Sequence, residues 1–191
     1  MRADQNTPFQ RRLNRRQQGF TLTEVLISMF VLTIGLVSML GVFATAMAAT
    51  QSAQQDMIAK QLAQQAMETI FTARETANLT WDQIQNVGGA GSPGIFRTGL
   101  QAIKQPGTDG IYGSINDGAS APQTMALPGP DGIVGTADDT ILTLNNYQRS
   151  ITILNTTSAD LRSVAITIQY TIPTSKFPKT YVLSGFISQY R

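Results

Sequence analysis

The run VLISMFVLTIGLVSMLGVFATAMAAT, Val25 to Thr50, contains neither a charge nor a proline. It exceeds the ~20 residues that a helix needs to cross the hydrocarbon of a bilayer. The helical pattern does not stop there. From Asp56 to Ala73, the apolar residues Ile58, Leu62, Ala66, Ile70 and Ala73 recur at steps of three and four, with Gln54, Gln61, Gln64 and Gln65 mostly between them. One helix from about Phe20 to about Thr76 is expected, ~85 Å long at 1.5 Å per residue. Its first half is apolar all round and its second half apolar on one face. Gly35 and Gly41 are weak points inside it, each costing about 1 kcal/mol relative to Ala.

Charge is distributed unevenly around this helix. Residues 1–19 hold five Arg and one Asp, whereas residues 20–191 carry a net −2. The basic balance therefore belongs to the leader, and nothing in the remainder calls for nucleic acid as a partner. The other cations (Lys60, Arg74, Arg97, Lys104, Arg149, Arg162, Lys176, Lys179 and Arg191) are scattered along the sequence. With no Cys the chain has no disulfide and no thiol nucleophile, and with no His it lacks the commonest general base and transition-metal ligand. An enzyme is disfavoured on these grounds, and no catalytic residues are assigned.

Beyond the helix, Val87 to Thr140 holds twelve of the sixteen Gly and five of the eight Pro, so no long regular element is expected there. Three strands are expected after it: Ile141–Leu154 with a break at Asn145-Asn146, Ser163–Ile172, and Thr180–Tyr190. In the second, Val164, Ile166, Ile168 and Tyr170 alternate with Ala165, Thr167, Gln169 and Thr171, the period-two pattern of a sheet with one buried face. In the third, Tyr181, Leu183, Phe186 and Ile187 form the expected inward set and Gly185 marks a candidate bulge. A turn from Pro173 to Pro178 joins the last two strands. The fold class is α+β, a long N-terminal helix packed against a small C-terminal antiparallel sheet.

The segment before the apolar run reads RRQQGFTLTEVLISM, Arg15 to Met29, with Arg11 and Arg12 just upstream. A single carboxylate, Glu24, interrupts an otherwise uncharged stretch from Gln17 to Gln55. One reading lets Glu24 snorkel to the headgroups beside a topogenic Arg cluster. An ordinary secretory signal is another, with Ala46-Met47-Ala48 as a cleavage site, but the apolar run is long for one. The block GFTLTEVLIS resembles the class III signal of type IV prepilins. That resemblance implies cleavage after Gly19 by a prepilin peptidase, N-methylation of the new terminus Phe20, and pairing of Glu24 with the amine of an adjacent subunit. It also implies a pilin-like fold. The run VLTIGLVSMLGV, Val31 to Val42, looks like minor pilins of the PilV type. Many major pilins carry a proline near Gly41 and a disulfide-closed C-terminal loop, and this chain has neither.

Two segments of the Gly-rich region repeat at an offset of 22: TDGIYGSIND, Thr108–Asp117, and PDGIVGTADD, Pro130–Asp139. Asp131, Asp138 and Asp139, with Asp109, Asn116 and Asp117 in the first copy, are candidate Ca²⁺ ligands, since Ca²⁺ favours carboxylates and glycines let a loop curl round it. Some pseudopilins hold Ca²⁺ in this part of the fold. Plain turn chemistry explains Asp-Gly equally without an ion. No cofactor is required, and Ca²⁺ is the one candidate.

Five regions follow: a cytoplasmic leader at 1–19, removed on processing; a membrane and filament-core helix at 20–50; the amphipathic half of the helix and its exit at 51–86; a variable loop region at 87–140; and an antiparallel sheet at 141–191. The functional expectation is a minor pilin of a type IV pilus. It spans the inner membrane once with its C-terminal domain periplasmic, then moves to the pilus. Its partners are the peptidase, other pilin subunits, the inner-membrane assembly platform and the membrane. A pseudopilin of a type II secretion or competence system is the near alternative. A membrane-anchored enzyme or binding domain is the alternative of another class. Asp160, Arg162 and Arg149 read as isolated, solvated surface, and Trp81, Phe96, Tyr112, Tyr147 and Tyr170 as packing.

Overall fold

A computed structural model describes residues 19–88, 92–172 and 177–190. These residues divide into two compact units, one up to Ala46 and one from Met47 onward. Helix α1, Leu22–Glu75, contributes to both and runs unbroken through Gly35 and Gly41. Thr21 starts it by taking the Glu24 N–H on its hydroxyl at 3.3 Å, one of the donors that a helix N-terminus leaves unpaired. At the other end the Leu79 N–H returns to the Ala73 carbonyl at 3.0 Å while Ala77 takes φ 59°, a left-handed C-terminal cap made without glycine.

In the first unit no residue of the apolar run is buried, so the helix presents apolar surface on every side. In the second unit one face of α1 is covered. Ile58, Ala59, Leu62, Ala63, Ala66, Met67, Ile70 and Ala73 are all buried there, and the stripe anticipated from the spacing lies within that set. Alanines alternate in this stripe with the larger Ile58, Leu62, Met67 and Ile70.

That sheet has four antiparallel strands in the order β1-β4-β5-β6. They are β1 (Gln101–Ala102), β4 (Tyr147–Asn155), β5 (Leu161–Tyr170) and β6 (Lys179–Ser188). A separate hairpin pairs β2 (Thr124–Leu127) with β3 (Thr140–Thr143). The α+β layout is the one expected, and among the described residues the Gly-rich region holds only short elements. The first expected strand is in fact two, parted at Leu144–Asn146: β3 joins the hairpin and β4 joins the main sheet. The register is continuous from Val164↔Gly185 to Ser163↔Phe186, so Gly185 marks no bulge. Phe186 is 65% exposed, and it is Ile187 that enters the core. A strict alternation cannot bury two neighbours on one side of a pleat. Of the expected Pro173–Pro178 turn, residues 173–176 lie outside the described residues.

Tyr170 donates to Asp56 at 2.7 Å and Lys179 reaches the same carboxylate at 3.3 Å, tying α1 to the ends of β5 and β6. Tyr147 stacks on Tyr170 with centroids 5.5 Å apart. The core beside them is aliphatic, with Val164, Ile166 and Ile168 of β5 fully buried.

Candidate functional site

The candidate site for processing and assembly lies at the start of α1. Residues 1–18, including Arg11, Arg12, Arg15 and Arg16, lie outside the described residues. Gly19 precedes the helix, and a Cβ built on it meets nothing within 4 Å. Phe20 is 83% exposed, and Glu24 is exposed in the first helical turn. An acidic residue there favours the positive end of the helix dipole. A cleaved amino terminus at Phe20 would place an ammonium at that same positive end, where it is disfavoured unless a carboxylate faces it.

The helix beyond Glu24 is fitted to an apolar surrounding. Ser28, Thr33, Ser38 and Thr45 return their hydroxyls to the carbonyls of Glu24, Met29, Ile34 and Val42 at 2.7–2.8 Å. Hydroxyls satisfied within the helix need no water, the condition for residence in lipid or in a packed bundle. Glu24 is then the one group in this stretch whose charge calls for an external partner.

The two repeated loops are duplicates in structure as well as in sequence. Asp109 Oδ1 accepts from the Ile111 N–H at 3.1 Å, and Asp131 Oδ1 from the Ile133 N–H at 2.8 Å. Asp117 Oδ2 accepts from the Gly113 N–H at 2.5 Å, and Asp139 Oδ2 from the Gly135 N–H at 2.6 Å. Gly113 and Gly135 take φ 82° and 100°, a left-handed backbone that favours glycine. Their environments differ. Ile111 is buried in the first copy, while Ile133 is 60% exposed in the second.

At the one position where the acidity differs, Asn116 donates its amide to Asp109 Oδ2 at 2.9 Å. Its counterpart Asp138 takes the Thr136 hydroxyl at 2.6 Å, and that bond holds its carboxyl below the ordinary value. Each of Asp109, Asp117, Asp131, Asp138 and Asp139 thus accepts from a donor of its own loop. Among the described residues no three acidic side chains converge as a metal cluster. The turns close by their own hydrogen bonds.

Arg149 and Arg162 are not solvated surface. Both occupy inward positions of their strands and are 4% and 6% exposed. Arg162 donates to the carbonyls of Trp81 and of Ile84 (2.9 Å) and to Asn155 Oδ1 (3.0 Å), and its guanidinium lies 4.1 Å from the Trp81 ring centroid. Asp160 is not isolated either, since it accepts from the Tyr190 hydroxyl at 3.1 Å. A signal for the arginines was present. Arg162 falls in phase with Val164, Ile166 and Ile168, and Arg149 in phase with Ile151 and Ile153. Asn86 carried no such signal. Its amide donates to the Ile151 carbonyl and accepts from the Ile153 N–H, both at 2.7 Å, covering the edge of β4 beyond β1.

Residues 14–40 match the family model of the prokaryotic N-terminal methylation motif, the amino-terminal signal of type IV pilins. No curated protein and no solved structure matches the chain. The motif supports a type IV prepilin-like protein, points to a structural rather than a catalytic role, and implies processing by a prepilin peptidase and assembly with other pilins. Together with the long apolar helix it fits a membrane-anchored pilin.

Proposed function

We propose that the chain is a minor pilin of a type IV pilus, of the PilV-like kind. It is inserted in the inner membrane with residues 1–19 cytoplasmic and the domain from Met47 onward periplasmic. The Arg-rich leader ahead of the apolar run sets that orientation. A peptidase cuts after Gly19, Phe20 becomes the methylated terminus, and Glu24 meets the amine of the neighbouring subunit as the helix leaves lipid for the filament.

A single observation carries the proposal: one carboxylate in the first turn of α1, which is otherwise uncharged as far as Gln55 and exposes apolar surface on every side up to Ala46. An unpaired charge near the bilayer costs up to ~2.5–3.5 kcal/mol at its centre on insertion scales and less toward the surface. An ammonium and a carboxylate brought together offset that cost for both, which drives subunits into register as they leave the membrane.

The test is incorporation. Pili sheared from cells should contain the chain with a mass that begins at methylated Phe20. Glu24→Gln should be processed normally yet be absent from the sheared fraction. Finding the chain intact from Met1, or Glu24→Gln incorporated at wild-type level, would overturn the proposal. A processed chain missing from pili but required for protein secretion would instead assign it to a pseudopilus.

A further inference from the structure

Two cations flanking β1, Arg97 and Lys104, meet the sequence-distant Arg149 in a cavity of about 120 Å³ at the β1–β4 edge of the sheet. Arg97 comes from the segment before β1, Lys104 from the segment after it, and Arg149 from β4. One carboxylate, Asp117, lines the same cavity. Its oxygens already accept from the Gly107 N–H at 3.0 Å and the Gly113 N–H at 2.5 Å. It approaches Arg149 Nη2 only to 4.0 Å, too far for a hydrogen bond.

Arg149 is therefore a buried guanidinium whose charge is incompletely compensated. Its Nη1 is buried with no hydrogen-bond partner among the described residues. The Tyr112 ring, 5.2 Å from its Cζ, supplies a face but no anion. The two other cations have donors to spare. Arg97 commits Nη2 to the Ile115 carbonyl at 3.0 Å, and Lys104 commits Nζ to the Gly118 carbonyl at 2.5 Å. Their remaining N–H groups are unassigned by these contacts. A Cβ on Gly118 would stand 2.6 Å from Arg97 Nη2, so an alanine there would displace the guanidinium from this position.

The geometry points to a binding site for a compact tetrahedral oxyanion of the phosphate or sulfate class. Donors from Arg97 and Lys104, beside the buried charge of Arg149, suit an anion with several oxygens around one centre. A planar carboxylate offers two. The anion would supply Arg149 with the compensation that Asp117, engaged by two backbone N–H groups, leaves incomplete.

The test uses the full chain in non-ionic detergent micelles. Inorganic phosphate, sulfate, glycerol phosphate, acetate and chloride are titrated at matched ionic strength by calorimetry. Thermal unfolding is followed on Trp81, the single Trp of the chain. Phosphate and sulfate should bind saturably and raise the melting temperature. Glycerol phosphate binding as well would mark a phosphomonoester as the source, and its exclusion a free ion. Lys104→Gln and Gly118→Ala should each weaken phosphate binding tenfold or more while unfolding in chloride as the wild type does. Gly118→Ala tests positioning alone, because it displaces Arg97 without altering any charge. No saturable phosphate response beyond chloride, acetate binding as tightly as phosphate, or unchanged affinity in both variants would each overturn the assignment.

Discussion

The duplicated loops permit a controlled experiment on burial, because the same hydrogen bond is made twice, once inside the protein and once on its surface. Asp117→Ala removes the acceptor of the Gly107 and Gly113 N–H groups and the carboxylate nearest to Arg149. An unsatisfied buried donor costs about 1–3 kcal/mol. Breaking a buried ion pair by removing one partner costs about 3–5 kcal/mol. These penalties overlap, because a relaxing loop relieves both, so a loss of about 3–5 kcal/mol in total is expected. At ~2–4 °C per kcal/mol for a chain of this size, the melting temperature should fall by ~6–20 °C.

Asp139→Ala deletes the equivalent bond to Gly135 on an exposed loop, where water replaces the lost acceptor, and should shift the transition far less. The assay is thermal unfolding of the full chain in detergent, followed by Trp81 fluorescence. Equal losses in the two variants would refute the claim that burial, rather than the turn itself, sets the value of this carboxylate.

The pH dependence of Asp117 sharpens the same experiment. Burial raises its pKa above 3.8, against the opposing pull of the Gly113 and Gly107 N–H groups and Arg149. With the folded value the higher one, the folded state holds the proton more tightly. That contribution is full below 3.8 and is lost as pH rises through the folded value. Wild type should therefore gain stability relative to Asp117→Asn as the pH is lowered through that window.

Four further outcomes are expected. Arg162→Ala should cost about 3–5 kcal/mol, since it strands the Trp81 and Ile84 carbonyls and removes the cation over the Trp81 ring; chemical denaturation measures it and Trp81 emission should shift. Tyr147→Phe should be neutral or slightly stabilising at neutral pH, because its buried hydroxyl has no hydrogen-bond partner among the described residues. Burial, with a smaller contribution from the Asp56 charge, pushes the Tyr147 pKa up to about 12, so wild type should lose ~2–3 kcal/mol as pH rises from about 10 to about 12, a loss the Phe variant lacks. Ala77→Gly should stabilise by about 1 kcal/mol, relieving a left-handed backbone at φ 59°, and a destabilised variant would remove that account of the helix end. If Asp131, Asp138 and Asp139 gather round Ca²⁺, millimolar Ca²⁺ should raise the melting temperature and Asp138→Ala should abolish the rise; identical curves in chelator would leave turn chemistry as the whole explanation of that loop.

Local pattern reached far in this chain because its main elements are long and regular. The amphipathic stripe Ile58–Ala73 and the alternation through Val164–Tyr170 both reappear as buried faces. Errors arose where the period was interrupted. The stretch from Ile141 to Leu154 looks like one apolar strand with a break, yet its halves join different sheets. Phe186 and Ile187 are equally apolar, and only the pleat decides which of them turns inward.

Four features are legible from the residues alone: the amino-terminal signal, the apolar run with its one carboxylate at Glu24, the α+β class and the repeated Asp-Gly loops. All of these are carried by residues close together along the chain, where spacing alone sets which side chains share a face or a turn. Only the packing of distant segments buries Ile111 and Asp117 in one copy of the loop while the other copy stays exposed, sets Asn86 against a sheet edge, and brings Arg97, Lys104 and Arg149 to one cavity. Those outcomes depend on which distant segments pack together. A charge read as solvated from its neighbours in sequence becomes a buried, poorly compensated one when its neighbours in space are a ring, a loop and a sheet.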